Sequence, residues 1–346
     1  MSEYNIATNA DVLVMNRNRT SPWICRDDNG HFWTIFQNTS QNIEIYHSED
    51  SGATWTLKKT LTAGDFTSLT MPVDNFNIAH CVGQNKVYVL LMKPSTGKYW
   101  GWLINTSTDT GSVDVNNASH GAWALIGPHS LRWDSLNNKL YAFQSAYNQY
   151  NWYTQYIPMN GTLSTTQLYS GVSGEFPTSG AIDTSGNFFM SVVGYESLSY
   201  HPRIYKNTNY LQSAGSIVAP FALTLADYAG RGILLAYKYQ ASNAYIYAYR
   251  AKADFSAFDV DGTFLVAASG DEITSFTGCV DGLNNVYVIY TLASNSEAYY
   301  AKFDGTAKVW GTPTLLSSGN DGVAVSSEVR GLLASNTILV TYQATA

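Results

Sequence analysis

Charge is scarce in this 346-residue chain: Asp, Glu, Lys and Arg make up 13% of it, and 19 Lys and Arg against 26 Asp and Glu leave a net charge of −7. No basic run or basic helix interrupts that balance. The positive footprint that a phosphate backbone demands is missing, so nucleic acid is not expected as a partner. No window reaches the ~20 consecutive apolar residues of a membrane span, so none is expected. Met1 to Asn9 carry no charged stretch followed by an apolar one. The expectation is therefore synthesis in the cytoplasm without a signal peptide. Cysteine is as sparse as charge. Cys25, Cys81 and Cys279 lie in apolar runs without CxxC or His-neighboured spacing, and an odd number cannot complete a disulfide framework. They read as buried free thiols. The six His residues are scattered. There is no Gly-rich phosphate loop, no G-x-S-x-G elbow and no His/Cys/carboxylate cluster at metal-ligand spacing, so neither a metal nor a cofactor is expected.

What is abundant is aromatic and polar-neutral: aromatics reach 14%, with 25 Tyr and 9 Trp. That composition belongs to a β protein and is the opposite of a disordered one. A unit of apolar strand, Asp/Asn/Gly turn and second apolar strand occurs seven times. The copies are SPWICRDDNGHFWTIF from Ser21, NIAHCVGQNKVYVLLM from Asn77, HSLRWDSLNNKLYAFQ from His129, TSGAIDTSGNFFMSVV from Thr178, FALTLADYAGRGILLAY from Phe221, FTGCVDGLNNVYVIYT from Phe276 and VRGLLASNTILVTYQ from Val329. Ahead of each second strand stands Gly30, Asn85, Asn138, Gly186, Gly230, Asn284 or Asn336, the residue types that tolerate the positive φ of a tight hairpin. Asp28, Asp134, Asp183 and Asp281 in these turns read as hairpin formers rather than acids. Two further strand-like runs separate the copies, so each repeat holds four strands, the blade of a propeller. The predicted fold is all-β, a single domain over 1–346: a seven-bladed β-propeller of four-stranded antiparallel blades. The last copy ends at its second strand while the chain opens on EYNIAT and ADVLVMN. The N- and C-terminal strands are therefore predicted to share one blade and close the ring.

Between the third and fourth strands of the first blade, Ser48-Glu49-Asp50-Ser51-Gly52-Ala53-Thr54-Trp55 fits S-x-D-x-G-x-x-W at every fixed position. This resembles the Asp-box of sialidase-like, or BNR-repeat, propellers. A degraded copy follows at Ser107-Thr108-Asp109-Thr110-Gly111, with Asp114 in place of Trp, and blade six keeps Asp304-Gly305 and Trp310. The resemblance implies a structural clasp formed by Ser48, Asp50, Gly52 and Trp55, on the face opposite any substrate. Sialidases of that family hold a substrate carboxylate with three arginines and use a Tyr/Glu pair and an Asp. Carried over, this points to Arg19, Arg203 and Arg330 among eight arginines. Separately, a glycosidase needs two acids facing one another, and Glu175 with Glu196, or Asp74 with Glu272, could meet across the channel. Arg19 stands at the wrong separation from Pro22 for the family pattern. This is the alternative reading: a sialidase-like glycoside hydrolase or lyase with its site in the central channel.

The loops entering each first strand, and those joining second to third strands, converge on one face of a propeller, and sites are built there. They carry Arg19, Asp74, His129, Glu175, Glu196, His201, Glu272 and Arg330. The most unusual is Gln144-Ser145-Ala146-Tyr147-Asn148-Gln149-Tyr150-Asn151-Trp152-Tyr153, which interleaves rings with amides, and Gly194 to His201 adds Tyr195 and Tyr200. Rings stack on sugar faces while amides bond hydroxyls, so Tyr147, Tyr150, Trp152, Tyr195 and Tyr200 are the candidate ligand-binding residues. The same rings would also suit blade-to-blade packing or a protein interface. The reading favours a non-catalytic recognition or assembly module for a glycan or protein surface, with use inside a larger assembly left open. Its composition resembles bacteriophage fibre, decoration and receptor-binding proteins, which act in the virion or outside the cell after lysis.

Overall fold

The computed structural model describes residues 6, 23–73, 75–93, 96–119, 130–145, 151–158, 164–170, 179–196, 199–207, 209–212, 221–295, 297–316, 324–327 and 340–343. They form antiparallel meanders. The first blade is β1 (Ile24–Arg26), β2 (Phe32–Gln37), β3 (Ile43–Ser48) and β4 (Thr56–Leu61). The second is β5 (Asn75–Cys81), β6 (Lys86–Lys93), β7 (Lys98–Asn105) and β8 (Thr110–Ser119). The third is β9 (Ser130–Asp134), β10 (Lys139–Ser145), β11 (Asn151–Pro158) and β12 (Ser164–Ser170). The fourth is β13 (Gly180–Ile182), β14 (Phe188–Glu196), β15 (Ser199–Lys206) and β16 (Asn209–Gln212). The fifth is β17 (Phe221–Ala226), β18 (Gly232–Gln240), β19 (Asn243–Ala251) and β20 (Phe258–Ser269). The sixth sheet holds β21 (Ile273–Val280), β22 (Val286–Leu292), β23 (Ala298–Asp304), β24 (Val309–Trp310) and β25 (Thr314–Leu315). Its outer position is split, because β24 and β25 both pair with β23 on either side of Pro313, which has no N–H for the ladder. A two-stranded sheet, β26 (Ala324–Ser327) and β27 (Val340–Gln343), ends the order.

The architecture is an all-β propeller of antiparallel four-stranded blades, but the blade count differs from expectation. Among the described residues five sheets have four strands rather than seven. The last repeat is present only as β26–β27, and its first strand begins at Ala324, upstream of the Val329 expected. The N-terminal runs predicted to complete it lie outside the described residues, apart from Ile6, which packs against the core of blades one and two. The first strands β1, β5, β9, β13, β17, β21 and β26 each touch the next, and β26 touches β1.

The apolar layers lie between blades. Trp33, Ile35, Phe76, Val89 and Trp100 join blades one and two, while Leu90, Leu131 and Leu140 join two and three. β2 (FWTIFQ) and β22 (VYVIYTL) are buried along their whole length, and accordingly, apart from the tyrosine hydroxyls, they are apolar at all positions but Thr34, Gln37 and Thr291. Each such Leu, Ile or Phe contributes roughly 1.5–3 kcal/mol. Close approach requires glycine at some seams: a Cβ on Gly180 would come within 2.2 Å of the Phe143 ring, and one on Gly232 within 2.4 Å of Phe189.

Six of the seven predicted turn residues are described, and all six have positive φ: Gly30, Asn85, Asn138, Gly186, Gly230 and Asn284. Cys25, Cys81 and Cys279 are buried free thiols, and burial pushes the Cys81 thiol well up. No helix among the described residues is long and apolar enough to cross a membrane.

Candidate functional site

In a four-stranded meander the turn between first and second strands and the turn between third and fourth share one end, and the second-to-third connection lies at the other. Of the predicted ligand residues, Trp152, Tyr195 and Tyr200 are described, and their strands lead to that other end. Trp152 lies in β11, its backbone paired with Ser145 of β10 and Tyr169 of β12. Tyr195 and Tyr200 are direct register partners beside the β14–β15 connection, and Glu196 pairs with Ser199 one step nearer the tip. Tyr147, Tyr150, Asp74, His129, Glu175, Arg19 and Arg330 lie outside the described residues. Glu272 is exposed just ahead of β21. Arg203, proposed as one of three substrate arginines, is buried in β15 with its guanidinium 5.5 Å from the Tyr210 ring centroid.

At the same end of blade one a buried polar group was missed. Asn38 Nδ2 donates to Glu44 Oε1 at 2.7 Å and the Tyr46 hydroxyl to Glu44 Oε2 at 3.0 Å. Burial, and then the bond to Glu44 and its charge, push Tyr46 up to about 12. Gln37 next to it is fully buried, and neither amide atom has a hydrogen-bond partner among the described residues.

The opposite end holds the acids. Asp134 takes the backbone N–H groups of Leu136 and Asn137, and Asp183 those of Ser185 and Asn187. Asp227 takes those of Ala229 and Arg231, and Asp281 those of Leu283 and Asn285. In each case the second carboxylate oxygen accepts from a side chain of the same hairpin. In blade one this position is filled by Asp27, not by Asp28 as expected: Asp27 accepts from Asn29 N, His31 N and Trp33 Nε1. Asp28, one residue further out, reaches across to the next blade instead. A carboxylate bonded in this way is a turn clasp.

The Ser48–Trp55 hairpin is a clasp as well. Asp50 accepts from the Thr54 hydroxyl at 2.6 Å and the Thr54 N–H at 2.8 Å, which hold its carboxyl down at about 2. Ser48 Oγ donates to Asp50 and receives the Gly52 N–H, Gly52 takes φ +89°, and Trp55 Nε1 donates to the Gly52 carbonyl.

In the degraded second copy the clasp is dismantled. The Ser107 N–H goes to Asn105 Oδ1, and Asp109 turns back toward blade one, where Lys58 Nζ meets it at 2.5 Å. Asp114, in the Trp position, accepts the hydroxyl of buried Tyr88. Burial pushes Asp114 up. The freed Asp109 completes a cleft with Asn29, His31, His47, Glu49 and Thr106. His47 Nδ1 lies 3.7 Å from Asp109 Oδ2 and 3.8 Å from Glu49 Oε1. Its ring stacks on Trp33 at 4.1 Å, its exposure is 3%, and its Nε2 has no hydrogen-bond partner among the described residues. Burial, with Lys58 and His31 adding to it against Asp109 and Glu49, lowers the His47 pKa, so the imidazole is neutral at pH 7. The ligand atoms of His47, Glu49 and Asp109 all lie within 4.8 Å of one another. His47 and Glu49 come from the β3–β4 hairpin and Asp109 from the β7–β8 hairpin of the next blade, so no local spacing announces the group.

A second feature missed is on the rim of blade five. Tyr245 pairs with Val266 and Tyr247 with Phe264, and the Phe264 ring stands 5.7 and 5.6 Å from the two tyrosines while 53% exposed. The alternation Tyr245-Ile246-Tyr247 was the available signal, since period 2 sends both tyrosines to one face.

No protein-family model matches this sequence, and no curated protein matches it. Among solved structures it is similar to an ulvan lyase described as a new family of polysaccharide lyase, at 8% identity over 93% of this chain and 88% of that one, with a TM-score of 0.59. It is similar to the Aleuria aurantia lectin in complex with Fucα1-6GlcNAc, at 9% identity over 87% and 96%, TM-score 0.50. A Penicillium chrysogenum α-L-arabinanase complexed with arabinobiose matches at 10% identity over 86% and 96%, TM-score 0.50. At such identities the likeness concerns the fold: the chain is built as these β-propellers are.

Proposed function

We propose that this chain is a non-catalytic recognition module that binds a glycan at the end of the propeller carrying the β10–β11 and β14–β15 connections. The observation that carries this reading is the register pairing of Tyr195 with Tyr200 beside the β14–β15 connection, at the same end as Trp152. Aromatic residues in such positions offer rigid, amphipathic contact area to sugar rings. The buried acids Asp27, Asp134, Asp183, Asp227 and Asp281 are all occupied as hairpin clasps at the opposite end, which argues against turnover by them. The propellers it resembles in fold include one holding Fucα1-6GlcNAc and one holding arabinobiose. We extend the proposal to a virion surface or receptor-binding role, on composition. We also take the ring to count seven blades, with the N-terminal runs completing the sheet begun by β26 and β27.

The test is a broad glycan array with mass spectrometry of the supernatant. Retention without shortened products, lost in Trp152→Ala and in the Tyr195→Ala/Tyr200→Ala pair, is the expected result. Release of product would instead establish the glycoside hydrolase or lyase reading and direct mutation to Arg19, Arg203, Arg330, Glu175 and Glu196. The exposed Phe264 rim favours a second reading, contact with a protein surface; loss of partner binding in Phe264→Asp with glycan retention unchanged would support it.

A further inference from the structure

The cleft between the first two blades gathers donors that the propeller itself does not use. His47 is held rigid by its stack on Trp33, yet among the described residues neither ring nitrogen has a hydrogen-bond partner, and Nδ1 faces Glu49 and Asp109 at 3.8 and 3.7 Å. Those separations are too long for hydrogen bonds. They are close to what two donors adopt on either side of one ion, since bonds of about 2.1 Å to nitrogen and oxygen put the donors about 3–4 Å apart. The nitrogen that faces the two carboxylates, Nδ1, belongs to a side chain only 3% exposed, so it meets the cleft from a fixed position. Glu49 is 65% exposed and Asp109 28%, so the carboxylates can close on an ion entering from solvent. His31 lies beside them, its ring 5.3 Å from that of His47. Asp27 is nearby but spent on Asn29, His31 and Trp33.

We infer that His47, Glu49 and Asp109 form a binding site for one divalent transition-metal cation at the seam of blades one and two. One imidazole nitrogen with carboxylate oxygens suits Zn2+, Co2+ or Ni2+ better than Ca2+ or Mg2+, which prefer all-oxygen sites. Glu49 and His47 belong to blade one and Asp109 to blade two, so the ion staples the seam. Lys58 is the built-in competitor, because its ammonium occupies Asp109 Oδ2 in the ion's absence.

The test uses the full chain freed of metal with a chelator and dialysed, titrated with ZnCl2 by calorimetry and with CoCl2 by visible absorption. One Zn2+ per chain is expected, with Co2+ giving d–d bands and each metal raising the Tm. Glu49→Gln alters an exposed group and Asp109→Asn a partly exposed one without changing its shape, so both should fold. Each is expected to weaken Zn2+ at least 10-fold and to abolish the metal-dependent rise in Tm. His47→Gln should remove binding altogether. Lys58→Met, which removes the competing cation, should tighten binding. Calcium at millimolar concentration should leave the Tm unchanged. Absence of Zn2+ binding at 1 mM to the wild type, or binding of unchanged strength in Asp109→Asn and Glu49→Gln, overturns the site.

Discussion

Asp28 of the first blade holds its carboxylate 3.0 Å from Nε2 of His80 in the second. The same carboxylate accepts the backbone N–H groups of Gly83 and Asn85 at 2.9 to 3.0 Å. It therefore latches one first hairpin to the next, at a place where the two turns would otherwise compete for water. Burial pushes its pKa up, but the two N–H groups and His80 outweigh that and bring it below the usual carboxylate range. Asp28→Asn keeps the shape and loses the charge, and should destabilise the fold by about 1–3 kcal/mol. Urea unfolding of the two proteins at pH 7 measures this, and a difference within error would show the latch to be idle.

Acid should unfold this protein in two stages. Asp28, Asp50, Asp65, Asp259 and Asp304 all have lowered pKa values in the fold. A lowered carboxylate binds fewer protons when folded than unfolded, so its stabilisation is complete above about pH 4 and is lost as pH falls through the folded value. His47 is lowered too, by burial first. Its contribution is complete above about pH 6.5 and declines as pH falls below that. In chelator, a Tm profile from pH 8 to 2 should show a shallow fall below 6.5 and a steep one below 4. His47→Gln should erase the first alone.

The clasp and turn sequences were legible because their chemistry is local. Gly and Asn at the six described turn positions foretold positive φ, and Asp134, Asp183 and Asp281 foretold turn-bound carboxylates. In blade one Asp27 and Asp28 are adjacent and identical, and only the neighbouring hairpin decides which closes the turn. The His47 cleft was illegible for the same reason: Asp109 joins it across a blade boundary, where Lys58 of blade one meets it. The strand count was readable only where a whole repeat is continuous in sequence. In the sixth sheet Pro313 splits a strand that the apolar pattern alone would have left whole.

Gly30 and Gly180 test two different demands on glycine. A Cβ at Gly30 meets nothing within 4 Å but must adopt φ +83°, so Gly30→Ala should cost about 1–2 kcal/mol of backbone strain. At Gly180 the Cβ would strike Phe143, and Gly180→Ala should cost about 1–3 kcal/mol through displaced blades. Adding Phe143→Leu should recover part of the second loss and none of the first, as read by thermal unfolding of the four proteins.

Gln37 points to a trade between stability and use. Its buried amide has no partner among the described residues, so Gln37→Leu should stabilise the fold by about 1–2 kcal/mol, seen as a raised Tm. A lowered Tm would show that the amide is satisfied by water in solution.

Arg250 is 2% exposed and gives two hydrogen bonds to Asp259 and a third, through Nη1, to the Gly305 carbonyl of the next blade. Removing one partner of such a pair strands the other, and Arg250→Ala should cost about 3–5 kcal/mol. Arg250→Met combined with Asp259→Leu should cost less than either single change. A double-mutant cycle in urea decides it.

The completing role proposed for the N-terminal runs makes them part of the fold. A chain beginning at residue 21 should melt about 10 °C or more below the whole one, or precipitate on expression; an unchanged Tm would remove those runs from the ring.

The outer strands of the propeller carry one more consequence, for behaviour at high concentration. β20 is twelve residues long with Phe264 and Val266 facing outward, the kind of rim that invites a second molecule to add a strand. Its pairing with β19 slips register at three places, and the corresponding edge of the sixth sheet is cut at Pro313. A kinked or interrupted ladder cannot present an unbroken row of amides, so crowding should produce reversible contacts between side chains and no growth of cross-β fibres.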